Sequence, residues 1–281
     1  MSIDLAKKYS SNVDELFTAE SKKALLTNTD YDWTGAHTVV VYKLSTVEMQ
    51  DYARNVPKDS SDPESISRYG KLFDLDATTQ EMMLTRDRSF IFNVDRLDVD
   101  ETEGSLEAAQ ALARQLREKV VPEVDTYTFG KIVAGAGIVA TAEPLTEANV
   151  YSAILAGSEA LDDKEVPETE RVLMVTPAVY TMLKKATEFD NTDIGADLKL
   201  NGVIGILDGM QVIKVPATRL PDKFGFVIAH PSATVAPVKL EDYHVHNDTP
   251  LSSGSIVTGR ICYDAFVLDN KKNGIYYQPL A

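Results

Sequence analysis

The side chains whose types and spacing suit chemistry fall in a few short stretches. Asp95, Asp98, Asp100, Glu101 and Glu103 offer the oxygen donors that hard cations take. Asp98-x-Asp100-x-Thr102 opens like a calcium loop, but Glu103 stands where the turn needs glycine and Ala109 where a bidentate glutamate closes the shell. Carboxylates ahead of a helix also satisfy its unpaired amides and complement its dipole, which explains the group better. His244 and His246, beside Asp242 and Asp248, alternate as on one face of a strand and are the best metal candidate in a chain with 4 histidines. No third ligand stands at diagnostic spacing, so a polar loop is the simpler reading. Gly135-x-Gly137-x-x-Ala140 spells a dinucleotide fingerprint. Pro144 follows at once and disrupts the helix that would point at the phosphates, which favours a turn between domains. Gly130-Lys131 lacks the following Ser or Thr of a phosphate loop, no Gly-x-Ser-x-Gly elbow occurs, and nothing pairs Cys262 with a base. No catalytic residue, metal ligand or cofactor site is therefore assigned.

Composition narrows the class. With 281 residues, 44% of them hydrophobic, the chain can bury a substantial core. A single cysteine rules out an intrachain disulfide and suits an intracellular protein. No apolar run approaches the roughly 20 residues of a membrane helix, and Met1-Ser2-Ile3-Asp4 does not open a signal peptide, so a soluble, unexported protein is expected. The formal net charge of -15 argues against a surface built to grip nucleic acid. Charge alone does not discriminate further, since an ordinary cytoplasmic enzyme carries such a balance as well.

The elements that must carry these residues read as follows. Residues 1 to about 36, with Val13, Leu16, Phe17 and Ala24 on one side of a short amphipathic stretch, read as an arm with little core of its own. Trp33 is a core or interface anchor. Thr38 to Tyr42 is a strand candidate by its β-branched content. Residues 46–100 form one long excursion around a loop tip at Pro57 to Pro63. A two-stranded ribbon is marginal alone in water, so the excursion needs something to pack on. Phe90, Phe92 and Val94 recur at every second position, as in a strand buried on one side. After Gly104 the period changes. Leu106, Ala109, Leu112, Ala113, Leu116 and Val120 align on a helix whose other side carries Glu107, Gln110, Gln115 and Glu118. Pro122 is expected to end or kink it near Val121.

From about Gly135 to His230 the pattern becomes compact α/β. Thr146 is positioned to cap a helix bearing Val150, Ala153, Ile154 and Leu161. Val172 to Val175 is a short apolar strand, and Thr176-Pro177 opens the next helix. Leu207-Asp208-Gly209-Met210 has the chemistry of a tight hairpin, and a second hairpin is expected between 260–268 and 275–277 around Asn273-Gly274.

Leu84-Thr85-Arg86-Asp87-Arg88-Ser89-Phe90, followed by Val94 through Thr102, resembles the extended-loop-to-spine-helix segment of major capsid proteins from tailed bacteriophages. Arg171 to Pro177 resembles that family's strand-to-helix step in the axial domain, and Gly259 to Asp269 its closing peripheral-domain strand. The blocks extend the resemblance from about Thr38 to about Tyr277. It implies an α+β phage major capsid fold: an N-terminal arm and first strand over 1–45, an extended β-hairpin loop over 46–103, a peripheral domain with the spine helix over 104–135 and 232–281, and an axial domain over 136–231. It further implies assembly contacts in the extended loop at Arg68, Lys71, Phe73, Met82, Arg86, Arg88, Phe90 and Phe92, with Leu106, Leu112 and Leu116 on the spine helix.

By the same resemblance the chain is a structural protein, not an enzyme. It self-assembles as hexamers and pentamers into an icosahedral prohead and shell that encloses double-stranded DNA, and needs no cofactor. The implied partners are further copies of the chain, a scaffolding protein, a portal, a decoration protein and, non-specifically, packaged DNA. No membrane is involved, and the implied location is the virion capsid, assembled in the host cytoplasm. An encapsulin-like compartment sharing the fold is the sibling reading. A soluble metal- or nucleotide-dependent enzyme using His244 and His246 or the Gly135 turn is the alternative from another class.

Overall fold

Val172-Leu173-Met174-Val175 is apolar at every position and buried at every position, as a strand covered on both faces must be. It lies inside a six-stranded sheet. The structure is a computed structural model that describes residues 21–31, 33, 38–44, 46–52, 54, 68–74, 77–96, 99, 108–185, 203–246 and 253–281. In chain order the strands are β1 Thr38–Leu44, β2 Ala77–Met83, β3 Arg86–Asp95, β4 Ile138–Val139, β5 Val172–Val175, β6 Val203–Leu207, β7 Met210–Lys214, β8 Phe224–Ala229, β9 Thr234–Val235, β10 Val238–His246, β11 Gly254–Tyr263, β12 Phe266–Val267 and β13 Ile275–Pro279. The helices are α1 Ala108–Gln115, α2 Val121–Ala134, α3 Val150–Asp162 and α4 Pro177–Lys185. The chain divides into two compact units, residues 36–83 and the remainder.

In the larger unit the six-stranded sheet runs β4-β13-β8-β5-β7-β6, with β5 parallel to β7 and antiparallel to β8. Alternation along β5 sends Leu173 and Val175 to one side, where Val150, Ile154 and Leu161 of α3 and Val179 and Leu183 of α4 cover them. Val172 and Met174 face the other side, against Phe129 and Ile132 of α2 and against Leu26. A second sheet, β10-β11-β3, lays Phe90, Phe92, Val94 and Val257 against Ala108, Ala111 and Leu112 of α1. β12 pairs with β9.

The local signals behave as their chemistry dictates at several ends. Thr176 accepts from the Val179 N–H at 3.2 Å and Pro177 takes the first helical position. Asp208 and Gly209, both at positive φ, make the two-residue turn between antiparallel β6 and β7. Elsewhere tertiary pairing wins. Thr146 sits a turn before α3, and Asn149 is the residue next to the helix start. The hairpin expected between 260–268 and 275–277 does not form. β13 instead enters the six-stranded sheet between β4 and β8, and Asn273-Gly274 closes a 3-10 turn over Asp269–Gly274.

Pro122 does not end the helix. Leu116–Val120 adopts the wider π turn, in which the Val121 N–H donates to the Leu116 carbonyl five residues back, and α2 continues to Ala134. A widened turn leading into α2 relieves the crowding that a proline ring imposes on the preceding turn. The face differs too: Ala109 and Ala113 are exposed, while Ala108 is buried and Ala111 and Leu112 are half-buried against the sheet.

The described part of the N-terminal segment is not core-poor. Leu26 is fully buried, the Asn28 N–H donates to the Thr234 carbonyl at 2.8 Å, and Trp33 stacks on Phe266 with centroids 5.7 Å apart. Val13, Leu16 and Phe17 lie outside the described residues.

Gly259 of β11 stands opposite Phe90, and a Cβ there would overlap the Phe90 ring. Gly259→Val is expected to cost about 1–3 kcal/mol through overpacking. Denaturant unfolding checks this, and Phe90→Ala in the same background should recover part of the loss.

Candidate functional site

The smaller unit is a ribbon. β1 and β2 pair antiparallel from Thr38 opposite Met83 to Leu44 opposite Ala77. Beyond them, the Gln50 side chain clasps the Lys71 backbone, accepting from its N–H at 2.7 Å and donating to its carbonyl at 2.9 Å. Tyr52 and Tyr69 meet edge-on at 5.2 Å. Gly70, next to Tyr69, has φ 84, a conformation that favours glycine, and a Cβ there would overlap the Gln50 side chain. This clasp holds apolar groups in water: Met49 is 100% exposed, Leu72 88%, Tyr69 80% and Tyr42 73%. Of the candidate contact residues, Arg68 and Lys71 are exposed here, Phe73 lies under the Lys71 ammonium, and Met82 is a buried residue of β2 opposite Val39.

Arg86, Arg88, Phe90 and Phe92 do not belong to this ribbon. They lie on β3, which pairs with β11 from Arg86 opposite Tyr263 to Asp95 opposite Gly254. The sequence places them in the excursion because a strand following a loop tip reads as its return arm. The pairing of β3 across more than 150 residues of chain is invisible locally. Leu112 packs on the sheet from α1, Leu116 opens the π turn, and Leu106 lies outside the described residues, as do Asp98, Asp100, Glu101 and Glu103.

The root of β3 is fixed by a residue that sequence reasoning passed over. Asp264 is 2% exposed and accepts four hydrogen bonds: from the Thr85 N–H at 2.9 Å, the Thr85 hydroxyl at 2.7 Å, the Tyr127 hydroxyl at 2.8 Å and the Ala265 N–H at 2.8 Å. A carboxylate inside the otherwise apolar run 261–268 is the signal that could have found it. Beside it runs an open groove of about 680 Å³ along α2, lined by Arg86, Pro122, Tyr127, Gly130, Lys131 and Tyr263. The Arg86 guanidinium and the Lys131 ammonium both lie over the Tyr127 ring, at 4.6 and 5.4 Å. Burial and the neighbouring Glu123 charge push the Tyr263 phenol up to about 12. Arg88 pairs with Glu123 at 2.7 Å and Arg260 forks onto Asp87.

The elements suggested for chemistry are dispersed. Gly135 ends α2 and Gly137 abuts the Lys272 backbone, so no helix opens there to receive a phosphate. Among the described residues no group of three or more His, Cys, Asp or Glu side chains is arranged to hold a metal ion. What the geometry presents is surfaces for contact.

The phage capsid protein family matches residues 67–274. The chain belongs to that family. The capsid protein also shares its fold with solved structures over nearly its whole length. One is from Mycobacterium phage Che8, 19% identical over 98% of this chain and 97% of that one, with a TM-score of 0.72. The capsid structure of cyanophage P-SCSP1u is 14% identical over 99% and 93%, at 0.72. The mature capsid of bacteriophage PhiM1 is 13% identical over 98% and 92%, at 0.70. Among curated proteins none matches the sequence. The capsid protein is thus a major structural component of a phage capsid and not an enzyme, which overturns the alternative built on His244, His246 and the Gly135 turn.

Proposed function

We propose that the capsid protein self-assembles as hexamers and pentamers of an icosahedral shell around double-stranded DNA, with the ribbon 36–83 of each copy laid over a neighbour. The carrying observation is the ribbon's exposed apolar set: Met49, Leu72, Tyr69 and Tyr42 form more apolar surface than a lone two-stranded ribbon keeps in water. In this reading residues 104–135 and 232–281 form the peripheral domain and 136–231 the axial domain. β13 crosses that division, because its strand completes the sheet of residues 138–229. Each contact is weak, and closure of a shell multiplies many of them. A scaffolding protein, a portal and a decoration protein complete the partners, and assembly takes place in the host cytoplasm. The net charge of -15 keeps the wall from gripping packed DNA.

Light scattering and negative-stain microscopy on the freshly purified protein are expected to show capsomers or closed shells. The paired change Met49→Ser and Leu72→Ser should leave the melting temperature of the unassembled chain within about 2 °C, since exposed substitutions cost little, while abolishing large particles. A wild-type chain that remains monomeric even with its scaffold would refute the proposal.

A further inference from the structure

We propose that His244 and His246 form a two-histidine site for a borderline transition cation such as Zn²⁺ or Ni²⁺, with Asp242 as its positioning residue. All three lie on β10, an outer strand of the β10-β11-β3 sheet, at every second position and hence on one face. The two imidazole centroids are 5.8 Å apart. Two rings bound to one tetrahedral ion through nitrogens at about 2.0–2.1 Å place their centroids about 5 Å apart, so a small closure of the two exposed rings brings them onto one ion.

Each ring is also held at the nitrogen that a ligand does not need. His244 Nε2 meets Asp242 Oδ1 at 2.6 Å, and His246 Nε2 meets the Thr258 hydroxyl of β11 at 3.2 Å. With Nε2–H donated to a carboxylate or hydroxyl, the neutral tautomer presents Nδ1 as the free lone pair. The carboxylate–histidine pair is the arrangement that fixes ring orientation and raises ligand basicity in metal sites.

The cation nearest in register is occupied elsewhere. Arg260 stands opposite Asp242 on β11, but its guanidinium forks onto Asp87 Oδ1 at 3.0 Å and Oδ2 at 2.6 Å. Arg260 feels the Asp242 charge through space, and the hydrogen-bonded partner of Asp242 is His244. The His244 and Asp242 side chains are 62% and 50% exposed, so an ion enters freely and keeps water in its remaining positions. A chain of net charge -15 attracts it. Two protein donors make a weak site, and imidazole nitrogen selects Zn²⁺, Ni²⁺ and Cu²⁺ over Mg²⁺ and Ca²⁺.

The test is calorimetric titration of ZnCl₂ and NiCl₂ into the full chain in a non-chelating buffer. One equivalent per chain is expected. His244→Ala and His246→Ala should each reduce the association constant by more than tenfold, and Asp242→Asn by about tenfold or more, with Asp242→Glu restoring part of the loss. Cu²⁺ bound at one equivalent should show nitrogen superhyperfine structure from two imidazoles, reduced to one in either histidine variant. All these positions are exposed, and unchanged melting curves of the metal-free variants verify the fold. Uptake unaffected by both histidine changes would overturn the site, because it would place the ion on other carboxylates. No uptake at all would overturn it too, and an unaltered Asp242→Asn affinity would overturn the positioning role.

Discussion

Asp125→Ala is expected to destabilise the capsid protein by about 3–5 kcal/mol, because it removes a buried carboxylate to which the Arg219 guanidinium and the Ser21 hydroxyl donate. Asp125 is 1% exposed and accepts from the Arg219 guanidinium at 2.8 Å and from the Ser21 hydroxyl at 2.6 Å. Burial pushes the Asp125 carboxyl up, and the Ser21 and Arg219 hydrogen bonds and nearby cationic charges oppose this without reversing it. Burial likewise lowers the Lys23 ammonium, which lies close enough to feel the Asp125 charge. A pair so strongly desolvated is kept by geometry more than by net energy. Asp125→Leu combined with Arg219→Met should therefore be far closer to wild type than either single change. Denaturant unfolding of the four proteins decides it: an Asp125→Ala loss under about 1 kcal/mol would show that the pair does not hold α2.

The second large effect is expected at Asp264. Asp264→Ala removes the acceptor of the Thr85 N–H, the Thr85 and Tyr127 hydroxyls and the Ala265 N–H; the buried Ala265 N–H costs about 1–3 kcal/mol unpaired, while the exposed Thr85 groups turn to water. A loss of about 2 kcal/mol or more should appear in thermal unfolding. Its pH dependence is fixed in sign. Burial raises the Asp264 carboxyl, but the hydrogen bonds from Thr85, Tyr127 and Ala265 outweigh burial and hold it below its ordinary value. The folded protein therefore binds this proton less readily than the unfolded chain. The contribution is complete above the unfolded carboxylate value of about 3.9 and is lost as pH falls through the lower folded value. The stability gap between wild type and Asp264→Asn should narrow only in that acid window. A gap that stayed constant from pH 7 to pH 2 would assign the effect to packing alone.

What the sequence reveals is what short-range physics writes into it. Alternation marks Phe90, Phe92 and Val94, proline after threonine marks the start of α4, and Asp208-Gly209 marks a turn. Each signal depends on neighbours within a few residues. β3 was legible as a strand but not as the partner of β11, since nothing within ten residues of Phe90 encodes Gly259. The continuation of the helix past Pro122 was hidden because a π turn has no sequence signature comparable to proline's. Asp125 was hidden with it, lying beyond the point where the helix was expected to end or kink. The ribbon residues Lys71 and Phe73 could be named, while the Gln50 clasp that presents them rests on a side chain imitating a strand.

The position of β13 has a consequence for how the molecule is made. Ile275–Pro279 lies between β4 and β8 and supplies Ile275 and Tyr276 to the cores on the sheet's two sides. β3 likewise waits for β11, synthesised long after it. Contacts this distant along the chain raise contact order and slow folding. During translation, the early strands and helices emerge without the segments that cover them, and strand edges stay exposed until β11 and β13 have emerged. Completion of the larger unit's two sheets is thereby tied to the arrival of β11 and β13 in the growing chain.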